Sequence, residues 1–102
     1  MLEFTTVEDF DQVVSQNKTV LIEFWASWCG SCKAFGALLE GLESNFPSVV
    51  FAKVNIEQAI ELAERYGITG LPALFCFHNG EMYAQQNGAI PAQQVRSLLP
   101  NQ

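Results

Sequence analysis

Eight consecutive residues, TVLIEFWA from Thr19 to Ala26, limit the fold of this chain more than any other stretch. They are β-branched, aliphatic or aromatic, and both alternating faces are apolar apart from Glu23, the pattern of a central strand covered on two sides. A sheet built on such a strand needs helices on both faces. Before it, Leu2 to Phe4 reads as a short edge strand. Thr5 and Glu8 then have capping-box spacing ahead of Val7, Phe10, Val13 and Val14, which predicts a helix from Val7 to Gln16. After it, Phe35, Leu38, Leu39, Leu42 and Phe46 recur at helical intervals up to Pro47, giving a helix from Cys29 or Ser31 to Asn45. Gly36 and Gly41 inside that helix each cost roughly 1 kcal/mol relative to alanine, so it depends on packing.

The remaining elements follow in turn. VVFAKVN, Val49 to Asn55, reads as a strand, and Glu57 to Tyr66 as a helix stopped by Gly67. ALFCFH and MYAQQN form a hairpin through Asn79 and Gly80, and Pro91 occupies the first turn of a last helix running to about Leu99. The order β-α-β-α-β-α-β-β-α implies parallel crossovers in the first half and an antiparallel hairpin in the second. The expectation is a single α/β domain over residues 1–102, a mixed sheet of about five strands with about four helices on both faces.

Composition narrows the function. The net charge is −6, and Lys18, Lys33, Lys53, Arg65 and Arg96 are scattered along the chain, which argues against nucleic acid or an anionic membrane as partner. No run of about eighteen apolar residues exists, and Glu3 follows Met1 closely, so neither a membrane span nor a secretory leader is expected and the default compartment is cytoplasmic. Three cysteines in 102 residues do not make a disulfide scaffold.

Two of those cysteines lie in WASWCGSCK, Trp25 to Lys33, where the central strand gives way to a helix. At that junction the Cys29 sulfur faces unpaired helix N–H groups and the positive end of the helix dipole, which favour thiolate over thiol. Cys32 comes one turn later on the same face, close enough for a disulfide. Cys29 is then the exposed nucleophile and Cys32 the more buried resolving thiol. Structural zinc needs further ligands, and only Cys76 and His78, in one strand, are available. A purely structural disulfide closing so short a ring would restrict the unfolded chain little. Redox exchange is therefore favoured over either, with no metal expected. Cys76 reads as a small core residue and His78 as a solvated residue beside the hairpin turn. Glu23 has two readings: a buried carboxyl with a raised pKa and a proton-transfer role, or a side chain that faces solvent or pairs with Lys53.

The motifs FWASWCGSCK, AKVN, YGITGLPALFCFHNG and NGA, in this order and spacing, resemble the thioredoxin family from about Glu3 to Leu99. The resemblance implies the thioredoxin fold and a thiol–disulfide oxidoreductase that reduces protein disulfides. It holds no cofactor of its own, works as a monomer, and is recycled by an NADPH-dependent flavin reductase. It also implies that Cys29 attacks and Cys32 resolves. Glu23 and Lys53 match a proton-handling carboxylate and its neighbouring lysine. Pro72 matches a proline that is cis and lies against the cysteine pair. Trp28, Gly30, Ser31, Gly70, Leu71, Gly88 and Ala89 then belong to a flat substrate-docking rim, where an extended peptide pairs with the backbone of Leu71. Three positions depart from the family pattern. Ser31 and Ala37 replace prolines, and Glu23 is one methylene longer than the usual aspartate. Ser31 bears on the potential with either sign, since its N–H favours the Cys29 thiolate while its hydroxyl competes. The rival expectations are an oxidase or isomerase of the same fold, and a protein-binding module with incidental thiols.

Overall fold

The two-faced strand at Thr19–Trp25 becomes the middle of a five-stranded sheet, in a computed structural model that describes residues 1–100. Along the chain lie β1 (Leu2–Phe4), α1 (Val7–Gln16), β2 (Thr19–Trp25), α2 (Gly30–Glu43) and β3 (Val49–Asn55). They are followed by α3 (Ile60–Arg65), β4 (Ala73–His78), β5 (Glu81–Asn87) and α4 (Ala92–Leu98). The strand order is β1-β3-β2-β4-β5. β1 and β2 both run parallel to β3, while β4 is antiparallel to β2 and to β5. The sheet is thus the mixed one the element order implies.

Period-two alternation along β2 sends Val20, Ile22 and Phe24 to one face and Leu21 and Glu23 to the other. On the first face the even residues join Phe10 and Val14 of α1, Leu62 of α3 and Phe75 and Phe77 of β4. Phe10, Phe24, Phe75 and Phe77 surround the half-buried Tyr66 ring, with centroid separations of 5.0 to 6.3 Å among these contacts. On the second face Leu21 packs with Phe35, Leu39 and Leu42 of α2, Phe51 of β3, Leu74 and Cys76 of β4 and Val95 of α4. Glu23 lies on this second, α2-covered face, and it is 1% exposed.

Several element boundaries differ from the sequence reading. α3 begins at Ile60, not Glu57, because Asn55 first makes a side-chain turn: its Oδ1 accepts from the Glu57 N–H at 2.8 Å, and its carbonyl accepts from the Gln58 and Ala59 N–H groups. A short amide side chain competes in this way with helix geometry. Pro91 is the N-cap residue of α4, one step outside the helix, with extended backbone (ψ 156°). α2 ends at Glu43 with Ser44 as its cap, two residues short of Asn45.

His78 is also corrected. It ends β4, half-buried, with Nδ1 3.0 Å from Thr19 Oγ1 and its ring edge-on to Tyr83. A cross-strand hydroxyl partner holds it where the sequence suggested open solvent.

Candidate active site

Everything that positions the cysteine pair converges on the C-terminal end of β2. The chain leaves the strand at Trp25, turns through Ala26, Ser27 and Trp28, and enters α2 at Gly30. The turn is tied down from the neighbouring strand. Ile56 N–H donates to the Trp25 carbonyl, and Cys29 N–H donates to that of Ala26. Glu57 Oε1 accepts from both the N–H and the hydroxyl of Ser27, each at 2.8 Å, which holds its carboxyl below the ordinary carboxylate range. Ser27, Asn55 and Glu57 are not among the site residues to which the sequence points. The Asn-Ile-Glu run after a strand was the available signal, because asparagine two residues before an N–H donor is a turn-former.

Cys29 is the N-cap of α2, and its Sγ accepts from the Cys32 N–H at 3.2 Å. Sulfur here takes the place that a serine or aspartate oxygen usually holds, satisfying a donor that the first helical turn leaves open. The two sulfurs form a disulfide, with Cα atoms 5.3 Å apart. Cys29 is 7% exposed and Cys32 2%, so the order of accessibility is as expected, but the attacking sulfur is itself largely covered in the disulfide form. Trp28 beside it is 70% exposed. The Ser31 hydroxyl stands 3.5 Å from Cys29 Sγ, and since a disulfide sulfur carries no hydrogen, the hydroxyl is the donor.

The other expected site residues fall at two places. Pro72 is buried and preceded by a cis peptide bond from Leu71. Because Phe24 pairs with Ala73, Pro72 sits at the end of the sheet from which β2 departs towards Cys29. Its carbonyl accepts from the Gly88 N–H at 2.7 Å, which joins the loop carrying Gly70 and Leu71 to the loop carrying Gly88 and Ala89. Gly88 has φ +89°, a conformation that favours glycine. Gly70, Leu71 and Gly88 are half-buried, while Gly30, Ser31 and Ala89 are exposed. By contrast Cys76 and His78 are remote. His78 pairs with Thr19 at the opposite end of β2, about 20 Å away at the usual rise per strand residue. Cys76 is enclosed in the α2/α4 core, where burial pushes its thiol up to about 11 and keeps it protonated. Among the described residues no three His, Cys, Asp or Glu side chains gather as a ligand set.

Behind the pair lies a cavity of about 320 Å³, lined by Glu23, Trp25, Cys32, Lys53 and, from α2, Lys33, Gly36, Ala37 and Glu40. Glu23 and Cys32 therefore border one space. The Glu23 carboxyl neither faces solvent nor makes an ion pair with Lys53, although the two residues are opposite in the β2–β3 register. The lysine ammonium instead stands 5.4 Å from the centroid of the Trp25 ring. Glu23 Oε2 and Trp25 Nε1 are both buried without a protein partner. Removal from water raises the Glu23 pKa from 4.5 to about 7; Lys53 opposes the rise and the Glu40 carboxylate adds to it.

This carboxyl has a thermodynamic signature. Its folded pKa lies above its unfolded value, so between about pH 4.5 and 7 the native state binds more protons than the unfolded state and stability falls as pH rises. At about 1.4 kcal/mol for each tenfold step in proton affinity, the loss is on the order of 3 kcal/mol. Urea unfolding of the oxidised protein and of Glu23→Gln, across pH 4 to about 9, is expected to show the variant gaining stability relative to the parent through this window and then holding level. Parallel profiles would contradict burial as the cause.

The chain matches the family model described as Thioredoxin over residues 1–101. It is 44% identical over 94 residues to a Streptomyces coelicolor protein described as a thioredoxin 2, covering 92% of this chain and 70% of that one. It is 34% identical over 99 residues to a thioredoxin of Mycoplasmoides gallisepticum, covering 97% and 99%. Among solved structures, a thioredoxin of Plasmodium falciparum superposes with a TM-score of 0.89 at 30% identity, covering 96% of this chain and 95% of that one. A disulfide-forming Cys-x-x-Cys pair capping α2, at the end of the sheet that also carries a cis-proline loop, together with the family match, places the chain in the thioredoxin family of thiol–disulfide oxidoreductases.

Proposed function

We propose that this chain reduces protein disulfides through Cys29 as nucleophile and Cys32 as resolving thiol, with Glu23 as the proton holder behind the pair. The observation that carries the assignment is the placement of Cys29 Sγ as the cap of α2, accepting the Cys32 N–H at 3.2 Å. Partial positive charge at a helix N-terminus stabilises the thiolate, the form that attacks. In the reduced chain the Cys29 thiolate attacks one sulfur of a substrate disulfide. The substrate S–S bond breaks, a mixed disulfide forms, and the departing sulfur leaves as thiolate and takes up a proton. Cys32 then gives its proton to Glu23 and attacks Cys29 Sγ; the bond between Cys29 and the substrate sulfur breaks, that sulfur leaves as thiolate and takes up a proton, and the Cys29–Cys32 disulfide remains.

Glu23 supports the second half of this cycle. It shares the cavity behind Cys32, and a carboxyl titrating at about 7 is matched to accept a proton near neutral pH. Lys53 stands at the same cavity and limits how far that pKa climbs. The two electrons spent in each cycle return from an NADPH-dependent flavin reductase acting on the disulfide. Substrate docks over Trp28 and along the Gly70-Leu71-Pro72 and Gly88-Ala89 loops, where an extended backbone pairs with Leu71 and side-chain identity matters little. In this reading the protein works as a cytoplasmic monomer.

Two tests follow. In reductase-coupled reduction of a model protein disulfide, Cys29→Ser is expected to lose at least about a thousandfold in turnover, while Cys32→Ser accumulates a mixed disulfide through Cys29. Full turnover without Cys29 would refute the assignment. The second test concerns Ser31, whose hydroxyl donates more strongly to a thiolate than to a disulfide sulfur and so stabilises the reduced form. Ser31→Ala is expected to shift the potential to more negative values by roughly 10–30 mV, the equivalent of one ordinary hydrogen bond, measured against a glutathione buffer. An unchanged or less negative potential would refute the hydroxyl's role.

A further inference from the structure

Two glycines interrupt α2, and they differ in what surrounds them. A Cβ built at Gly41 meets nothing within 4 Å, so that position is open. A Cβ at Gly36 falls 3.0 Å from Glu23 Oε1 and 3.9 Å from its Cδ, and meets no other atom within 4 Å beyond its own turn of helix. Neither glycine has the positive φ that would demand the residue for backbone reasons. Glycine inside a helix is unfavourable, so Gly36 is explained by what it leaves vacant, and the vacancy holds a carboxyl end. The carboxyl has few alternatives, because Glu23 is 1% exposed and enclosed between sheet and helix.

We propose that Gly36 is a positioning residue for Glu23: it forms a seat on α2, free of side chain, that accepts the end of a glutamate and holds its carboxyl beside Cys32. The role of that carboxyl in proton transfer rests on the function proposed above, whereas the seat rests on the 3.0 Å between Glu23 Oε1 and the position a Cβ of residue 36 would take. Glutamate reaches one methylene further than aspartate. On this fold that methylene carries the carboxyl towards the helix, where a Cβ at position 36 would crowd its Oε1 at 3.0 Å. Positions 23 and 36 are therefore a matched pair.

The groups around the carboxyl fix the direction of the effect. β3 contributes the Lys53 ammonium; α2 contributes Cys32, Lys33 and Glu40; β2 itself contributes the Trp25 indole; and β4 places the uncharged Leu74 opposite. A methyl group at position 36 requires the carboxyl end to yield by a few tenths of an ångström, and the space open to it is the cavity bordered by Lys53. Nearer a cation and better hydrated, the carboxyl ionises more readily.

The test is carbon-13 NMR titration of the side-chain carboxyl in the oxidised protein, comparing Gly36→Ala in the parent and in Glu23→Asp, with Gly41→Ala as the control. In the parent, Gly36→Ala is expected to lower the carboxyl pKa by about 0.5 or more. In the Glu23→Asp background, where the shorter side chain withdraws from the helix, it is expected to change the pKa by less than half that amount, and Gly41→Ala by less than half in either. Should Gly36→Ala fail to fold in the parent but fold with Glu23→Asp, the obstruction is demonstrated directly. An unmoved titration in the parent, equal shifts in both backgrounds, or failure to fold in both overturns the pairing. These titrations require no turnover. Loss of the proton-transfer role would appear separately, as unimpaired release of mixed disulfide by Glu23→Gln.

Discussion

The unpaired N–H groups at the start of α2 are the constraint around which the rest of this molecule is arranged. A helix leaves its first amides without partners, and here the group that answers them is the sulfur of Cys29. For that contact to form, β2 must deliver the chain to the helix without slack. The Ala26–Cys29 and Trp25–Ile56 backbone bonds and the Ser27–Glu57 pair fix the path between them. β2 is in turn held by β3 on one side and β4 on the other, and by an apolar core on each face. The fold therefore uses its central strand to aim one sulfur atom.

The same strand carries an energetically costly side chain. A carboxyl at 1% exposure, with one oxygen unpartnered and Lys53 drawn towards the Trp25 ring, lowers the stability of the ionised protein. Stability alone would replace Glu23 with a leucine that continues the α2-side core. A redox pair that must release a proton from a buried thiol provides a reason to retain it, and the vacancy at Gly36 shows that the helix is shaped to the carboxyl as well. Function and packing meet in that contact, at the cost of a helix-weakening glycine.

Much of this was legible in the sequence, and the parts that were not have a common physical character. The two apolar faces of TVLIEFWA dictated a doubly covered sheet, the helical spacing of Phe10 and Val14 gave α1, and that of Phe35, Leu39 and Leu42 gave α2. The cysteine pair was placed at a strand-to-helix junction, which is where it stands. What escaped reading were contacts between residues far apart in the chain. Spacing within a strand cannot say which helix covers Glu23, so the sequence alone does not decide between solvent, Lys53 and burial. Gly36 read only as a weak point in a helix, since its meaning lies thirteen residues away. His78 looked solvated because the Thr19 hydroxyl that holds it belongs to another strand. The delayed start of α3 is the exception, a local effect of Asn55 that turn chemistry would have revealed.

The central claim is that the helix cap makes Cys29 the thiolate of the pair. It is tested most directly by the pH dependence of alkylation in the fully reduced protein, with the modified cysteine identified by mass spectrometry. Cys29 is expected to react first, with an apparent pKa at least about one below the ordinary thiol value of roughly 8.5, and Cys32 only at higher pH. An unshifted Cys29, or prior reaction of Cys32, would contradict the account.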